Sequence, residues 1–471
     1  MTDVLLTHSN HLYFDRKQVA KMQPYPPLQT LLAAAALRDH GIGVGLFDST
    51  LNEPEQGFRR ALEVDRPRMV VVCEDDFNFL SKMCLSRNRE LAFSMAAAAR
   101  AKGIMVAAHG SDASDHVREY LDAGFDSVLI GEVEATLVEL AEGQPLPSIR
   151  GLAYRDSTSI RHNPAREPRT DLETVPRAAW DLVDIEQYRK AWKKAHGYFS
   201  LNMVSSRGCP YRCNWCAKPV YGNSYQARTP MSVASEMRYL KTAFQPDHIW
   251  FADDIFALSR KWTAAFSEAV ENLDAQVPFK MQSRCDLMTP EIAATLRRAG
   301  CMEVWMGAES GSQKILDAMD KGTRVQDIHR AAANLRASGI RACFFLQFGY
   351  PGETWNEIEQ TIRMVRETRP DDLGVSVSYP LPGTGFYEKV SAQLGPKSNW
   401  SDSADLAMMF RGAYSSEFYR ALADAMHTEV RSYAGDNAAL WERVRELERT
   451  TRQQSPIAPF QVLRESPELV S

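Results

Sequence analysis

"SSRGCPYRCNWCAKP", residues 205–219, puts Cys209, Cys213 and Cys216 within eight positions, with no fourth cysteine beside them. The apolar run "FSLNMVSS" from Phe199 leads straight into it and reads as a buried strand. Five further runs follow, "HIWFADD", "FKMQSRCD", "MEVWMGAE", "RACFFLQFG" and "LGVSVSYP", separated by helical patterns such as "SVASEMRYLKTAF" and "VQDIHRAAANLRASG". Six strands joined by helical crossovers predict a parallel β/α array, open or curved into part of a barrel. In such arrays the loops after the strands' C-terminal ends build the active site, and the cysteine triplet occupies the first of them.

A structural zinc site takes four closed ligands, commonly as two short pairs far apart. Here no second Cys or Cys/His pair follows the triplet, and His196 is the nearest histidine upstream. A cubane iron–sulfur cluster takes one thiolate per iron, so three cysteines leave one iron open to a small chelating ligand. Gly208 and Pro210 suit a tight loop wrapped around such a group. A zinc-stapled binding protein stands as the rival of a different class.

Cys209-x3-Cys213-x2-Cys216, with Trp215 just before the last cysteine, resembles the signature of the radical S-adenosylmethionine (SAM) superfamily. The resemblance implies a 4Fe-4S cluster held by the three cysteines, with SAM's amino and carboxylate groups on the open iron. It also implies reductive cleavage to methionine and a 5′-deoxyadenosyl radical, a small-molecule substrate, an electron donor such as flavodoxin or ferredoxin, and no catalytic residue beyond the cluster ligands. Asp253 and Asp254 in "FADDIF" stand where the family often has Gly-Gly-Glu for the methionine amino group. This departure matches a variant of cobalamin-linked and methylthiolating relatives, and paired Asp residues equally suit a helix cap. Glu309 and Ser310 in "MGAESGS" fall where ribose hydroxyls and methionine are contacted, although Ser310 or Ser312 also suits an N-cap. Gly349 and Pro351 in "FGYPGET" resemble the adenine-side turn, and Arg284 in "MQSRCD" is placed for the SAM carboxylate, a substrate anion or a surface salt bridge.

Ahead of this array, "DVLLTHS", "GVGLFDST", "RMVVVCED", "IMVAAHG" and "FDSVLIGE" alternate with helical segments that close on glycine. Five short strands with helices between them predict a flavodoxin-like (Rossmann-like) α/β domain over 1–145. "YPPLQTLLAAAALRDHG" and "LIGEVEATLVEL" resemble the cobalamin-binding domain often fused ahead of this barrel. The string Asp-x-His-x-x-Gly is absent and His109 in "AAHGSD" is out of frame, which implies cobalt without a histidine ligand. A proline-rich linker with a small hairpin is expected over 146–197, the partial (β/α)6 radical SAM barrel over 198–400, and a helical C-terminal extension and tail over 401–471.

A chain of 471 residues exceeds one ordinary core. Its 44% hydrophobic and 24% charged content is that of an ordinary soluble protein, and the net charge of −5 argues against nucleic-acid binding. The basic stretch "RKAWKKAHG" (189–197) reads as a solvated helix face. The longest apolar run, Leu31 to Leu37, is far short of a membrane span, and no targeting segment opens the chain, so a cytoplasmic protein with no membrane partner is expected. Cys73, Cys285, Cys301 and Cys343 read as small core residues. Phe418, Leu422, Met426 and Val430 form a packing stripe, while Tyr379, Met408, Met409, Phe410 and Tyr414 are core or pocket lining. The resemblance implies a cobalamin-dependent radical SAM enzyme that methylates an unactivated carbon or phosphorus centre. The alternative within the same architecture is a ring-forming oxidoreductase similar to anaerobic magnesium-protoporphyrin monomethyl ester cyclase.

Overall fold

A computed structural model describes residues 2–83, 85–218, 220–395, 399–433 and 435–452, so the expected tail beyond residue 452 lies outside the described residues. The first sheet contains β1 (Val4–Thr7), β2 (Val44–Phe47), β3 (Met69–Cys73), β4 (Met105–His109), β5 (Ser127–Leu129), β6 (Leu152–Asp156) and β7 (Ser159–His162), in the order β2-β1-β3-β4-β5-β6-β7. Its first five strands are parallel, and all but the half-buried edge strand β2 are buried on both faces. Val4, Leu6 and Val71 pack towards helices Leu28–Asp39 and Val133–Ala141. Leu5, Val70 and Val72 pack towards Pro54–Asp65 and Ser86–Arg100 on the other side. Continuous apolar runs are what such doubly covered strands require.

The expected hairpin forms, but it is not free linker. β6 pairs antiparallel with β5, so the sheet has seven strands rather than five. Leu152, Ala153 and Tyr154 are buried, and pairing with β5 is what removes their side chains and backbone from water.

The second sheet contains β8 (Ser200–Met203), β11 (His248–Phe251), β12 (Phe279–Ser283), β13 (Cys301–Glu309), β14 (Arg341–Phe348) and β15 (Asp372–Val377), all parallel and in chain order. A separate two-stranded ribbon pairs β9 (Ser206–Arg207) with β10 (Gln226–Ala227). Burial alternates along β11, β12 and β15. On β12, Phe279, Met281 and Ser283 are buried beneath the outer helices, whereas Lys280 and Gln282 are half-buried on the inner face. The architecture is thus an α/β domain followed by a half-barrel.

Helix Ser416–Arg431 covers β15, and Phe418, Leu422, Met426 and Val430 are all buried, so the stripe is packing surface. Tyr379, Met409, Phe410 and Tyr414 are buried too, and Tyr379 packs edge-on against Trp400 at 4.2 Å. Cys73, Cys285, Cys301 and Cys343 are free and buried. No helix among the described residues is long and apolar enough to cross a membrane.

Candidate functional site

The β9–β10 ribbon closes the base of the cysteine loop, pairing Arg207 with Gln226 and Ser206 with Ala227. Cys209, Cys213 and Cys216 are free and half-buried on this loop. Burial pushes the Cys209 and Cys216 thiols up, Cys216 to about 12. Among the described residues no three His, Cys, Asp or Glu side chains converge as a single metal ion would require. Lys218 reaches back across the loop, donating to the Cys209 carbonyl at 3.0 Å, to the Tyr211 carbonyl and to Asn223 Oδ1 at 2.9 Å.

Asn214 ties the loop to the far side of the barrel. Its Nδ2 donates to the Ala318 carbonyl at 2.8 Å and to Asp320 at 2.7 Å, its N–H to the Met319 carbonyl, and Tyr350 OH donates to its Oδ1 at 2.7 Å. Trp215 packs beside Ile315, Met319, Tyr350 and Phe386, with its Nε1 buried and unpartnered. The two residues between the last two cysteines therefore set the loop's position, and both hold it from outside the thiols.

Gly208 has φ +77°, and a Cβ there would stand 2.2 Å from the Ser224 carbonyl oxygen. Only a loop with no side chain at this position can close on its own ribbon. Gly208→Ala is therefore expected to displace the loop and cut bound iron after reconstitution at least about five-fold. Gly222→Ala, also at positive φ but with nothing within 4 Å, should cost only about 1 kcal/mol and keep its iron. Iron assay and thermal melts on the two variants make the comparison.

Across from the cysteines, at the end of β13, Glu309 has φ +57° and pairs with Lys321 at 2.8 Å. Both side chains are buried, at 5% and 7% exposure, so the pair is held out of water. Burial opposes the Lys321 charge, but the carboxylate beside it prevails and raises its pKa. Gly307 makes the space, because a Cβ there would lie 2.5 Å from both Glu309 Oε1 and Lys321 Nζ. Lys321 Nζ also lies 6.0 Å from the Trp215 ring, and the Arg284 guanidinium stacks 3.7 Å over Tyr211 of the cysteine loop while pairing with Asp286 at 3.0 Å. Glu309, Lys321, Arg284, Tyr211 and Trp215 thus come together around the loop.

Other expected site residues are already engaged. Asp253 is fully buried, with its pKa pushed up to about 6 by burial, and accepts from the Ser205 N–H, from Ser205 Oγ at 2.7 Å and from Ser206 Oγ. It anchors the turn from β8 into the ribbon rather than facing an open ligand space. Asp254 pairs with Lys82 of the first domain. Ser310 is fully buried and spent on Thr361 Oγ1 at 3.2 Å and the Ser312 N–H at 3.1 Å. Gly349 has φ +77° and the space beside it is occupied by Met408, whose Cε would be 2.9 Å from an added Cβ; Pro351 is buried.

The first sheet's C-terminal edge faces the cysteine loop. Arg207 bridges to Glu132 at 2.6 Å and to Glu134 at 2.5 Å, and the guanidinium outweighs burial to hold Glu134 down to about 2. Tyr221 stacks on Phe77 at 5.5 Å and donates to Gln29. Behind them lie Glu74 Oε2, buried with no hydrogen-bond partner, and Asp76 Oδ2, which makes no hydrogen bond and stands 3.6 Å from His109 Nδ1. His8 is committed to Asp48 at 2.9 Å and His109 to the Gly131 carbonyl at 3.0 Å.

Sequence reasoning missed Lys321, Asn214, Tyr211, Lys82 and Arg207. Asn214 and Tyr211 were in reach, since they sit inside the triplet. Lys321 carries no periodic signal, being a single lysine before Gly322 in the turn after helix Gln313–Ala318.

Residues 203–365 match the radical SAM superfamily. The chain is 28% identical over 281 residues to an uncharacterized methyltransferase of Pyrococcus horikoshii, covering 58% of this chain and 60% of that protein. It is 25% identical over 280 residues to the anaerobic magnesium-protoporphyrin IX monomethyl ester cyclase of Rubrivivax gelatinosus, covering 56% and 49%. The chain therefore spans less than two thirds of these relatives' length. A radical SAM methyltransferase from Kitasatospora setae, TsrM, solved with cobalamin and a 4Fe-4S cluster, shares the fold at a TM-score of 0.69 and 22% identity, over 83% of this chain and 78% of that one.

Proposed function

From the premise that this chain belongs to the radical SAM superfamily through residues 203–365, we propose that it is a cobalamin-dependent methyltransferase acting on a small molecule. The observation that carries the proposal is a ribbon-closed loop of three free thiols facing a buried Glu309–Lys321 pair at the C-terminal edge of a half-barrel. When bound, a 4Fe-4S cluster supplies the electron that cleaves SAM, and cobalamin supplies a transferable methyl group.

Cys209, Cys213 and Cys216 would hold three irons, and Asn214 fixes their loop to Ala318 and Asp320 across the barrel end that also carries Glu309 and Lys321. A carboxylate suits an ammonium or a ribose diol, and the Lys321 and Arg284 cations suit a carboxylate. At the first sheet's edge the orphaned Glu74 Oε2 suits an amide N–H of a corrin periphery. With His8 and His109 already bonded, that edge offers no imidazole for cobalt. Arg207–Glu134 and Phe77–Tyr221 bind the two edges together and exclude water from between them. A reduced flavodoxin or ferredoxin is the electron donor this chemistry calls for.

The test is oxygen-free purification, reconstitution with iron and sulfide, and incubation with SAM, methylcobalamin and reductant. Methyl transfer yields S-adenosylhomocysteine with 5′-deoxyadenosine, and bound corrinoid shows in the visible spectrum. The relative named as a cyclase favours a second reading, ring formation, which would give 5′-deoxyadenosine with no S-adenosylhomocysteine and no product heavier by one methyl. Protein that builds its cluster but takes up no corrinoid would remove cobalamin from the proposal.

A further inference from the structure

β8 and β15 are the two edges of the half-barrel sheet, yet the loop that follows β8 is fastened to the segments that follow β13, β14 and β15. The fastening runs through Asn214, the residue after Cys213, and every polar group of Asn214 is used. Its N–H donates to the Met319 carbonyl at 3.1 Å and its carbonyl accepts from the Phe386 N–H at 2.8 Å. Its Nδ2 donates to the Ala318 carbonyl and Asp320, and its Oδ1 accepts from Tyr350. The cysteine loop thereby crosses the mouth of the half-barrel and joins its first strand to its last three.

Tyr350 opens the turn after β14. Pro351 and Gly352 are its central residues, Gly352 has φ +87°, and the Glu353 N–H returns to the Tyr350 carbonyl at 3.0 Å, which is the type II pattern. Two further bonds pin this turn: the Gly349 N–H donates to Glu353 Oε2 at 2.5 Å, and Lys314 Nζ donates to the Gly352 carbonyl at 2.8 Å. From that base the Tyr350 ring stacks on Phe386 at 5.1 Å and 25°. Its hydroxyl lies 2.7 Å from Asn214 Oδ1 and 3.0 Å from the Ala318 carbonyl, and its single proton serves the shorter contact. Tyr350 is 1% exposed, so the bond is made out of water, where it is strongest.

The two partners differ in how firmly the rest of the fold holds them. The turn is closed on itself and pinned by Glu353 and Lys314. The described residues between β9 and β10 form no helix or strand, and their three thiols are free and half-buried. The rigid partner therefore sets the position of the looser one. Gly349 and Pro351, which resemble the adenine-side turn, flank Tyr350, and Cys213 and Cys216 flank Asn214 with its neighbour Trp215. One hydrogen bond thus joins the piece that would carry a nucleoside to the piece that carries the thiols.

We propose that Tyr350 is a positioning residue whose hydroxyl fixes the span between the turn after β14 and the three cysteines, so that a molecule touching both is held as one unit. That this molecule is SAM, with its nucleoside on the turn and its amino acid end at the cysteines, rests on the radical SAM reading, whereas the lock between turn and loop does not. Two weak contacts joined across a fixed span bind more tightly than either alone, because the second is made at little further cost in free motion. A loosened span keeps each contact and loses that gain. Without the hydroxyl, a nucleoside alone should bind as before, and the molecule that bridges turn and loop should bind less well.

Tyr350→Phe keeps the ring and its stack on Phe386 and removes only the hydroxyl. In the full chain without iron, iodoacetamide labelling read by peptide mass spectrometry should modify Cys209, Cys213 and Cys216 at least about three-fold faster in the variant, with buried Cys285 and Cys301 unchanged. In an Asn214→Ala background the same substitution should alter those rates by less than about 1.5-fold, because the bond is already gone. After oxygen-free reconstitution, equilibrium dialysis compares 5′-methylthioadenosine, which has the nucleoside and no amino acid, with S-adenosylhomocysteine, which has both. The variant should bind the first within about two-fold of wild type and the second about five-fold or more weakly. Unchanged labelling of the loop cysteines, a full effect in the Asn214→Ala background, or no greater loss for S-adenosylhomocysteine than for 5′-methylthioadenosine overturns the proposal. Wild type that binds neither ligand, with faster labelling in the variant, would fail the radical SAM reading and leave the lock standing.

Discussion

Cys213→Ala is expected to abolish cluster assembly. After oxygen-free reconstitution the broad iron–sulfur absorbance near 400 nm should be missing, and 5′-deoxyadenosine formation from SAM should fall by about 10³-fold or more, to background. The fold should survive, because Cys213 is half-buried and the loop is held through Asn214 to Ala318, Met319 and Asp320, contacts that alanine at 213 leaves in place. A change below about 1 kcal/mol in a urea melt is the expected stability effect. Cys285→Ala is the contrasting variant. Buried in the core at 2% exposure, it should lose about 1–2 kcal/mol and retain its iron. Full iron content in Cys213→Ala, or a lone zinc on the reconstituted wild type, would refute the cluster.

Lys321→Met should be the most damaging single change outside the cysteines. It leaves the Glu309 carboxylate buried beside Gly307 with no counter-charge, a loss of about 3–5 kcal/mol for a pair of this kind. Pairing it with Glu309→Gln removes the stranded charge, so the double variant should regain most of that stability. SAM binding should not return with it, because both polar groups facing the loop are then changed. Urea melts and equilibrium dialysis with SAM separate the two effects. A double variant that binds SAM like the wild type would show that the pair is purely structural.

The architecture was legible because its signals are local. Every strand of the half-barrel and the five parallel strands of the first sheet were readable as apolar runs, because the half-barrel strands bury one face beneath the outer helices and the central strands of the first sheet are covered on both. The cysteine triplet was legible because its three thiols stand within eight positions of one another on a single loop. The hairpin was visible but its membership was not, because only the edge of β5 makes Leu152–Asp156 a sheet strand. Asp253 illustrates the opposite difficulty: a carboxylate at a strand end suits a ligand, yet Ser205 and Ser206, 48 and 47 positions away, use its acceptors.

The sequence by itself therefore determined the two α/β units and the cysteine loop, since periodicity and spacing are properties of neighbouring residues. Only the tertiary structure decided that Lys321 answers Glu309 and that Arg207 bridges to Glu132 and Glu134 of the other unit. Charges act through distance in three dimensions, and the fold brings together charged residues far apart in sequence, whose surroundings no local pattern records.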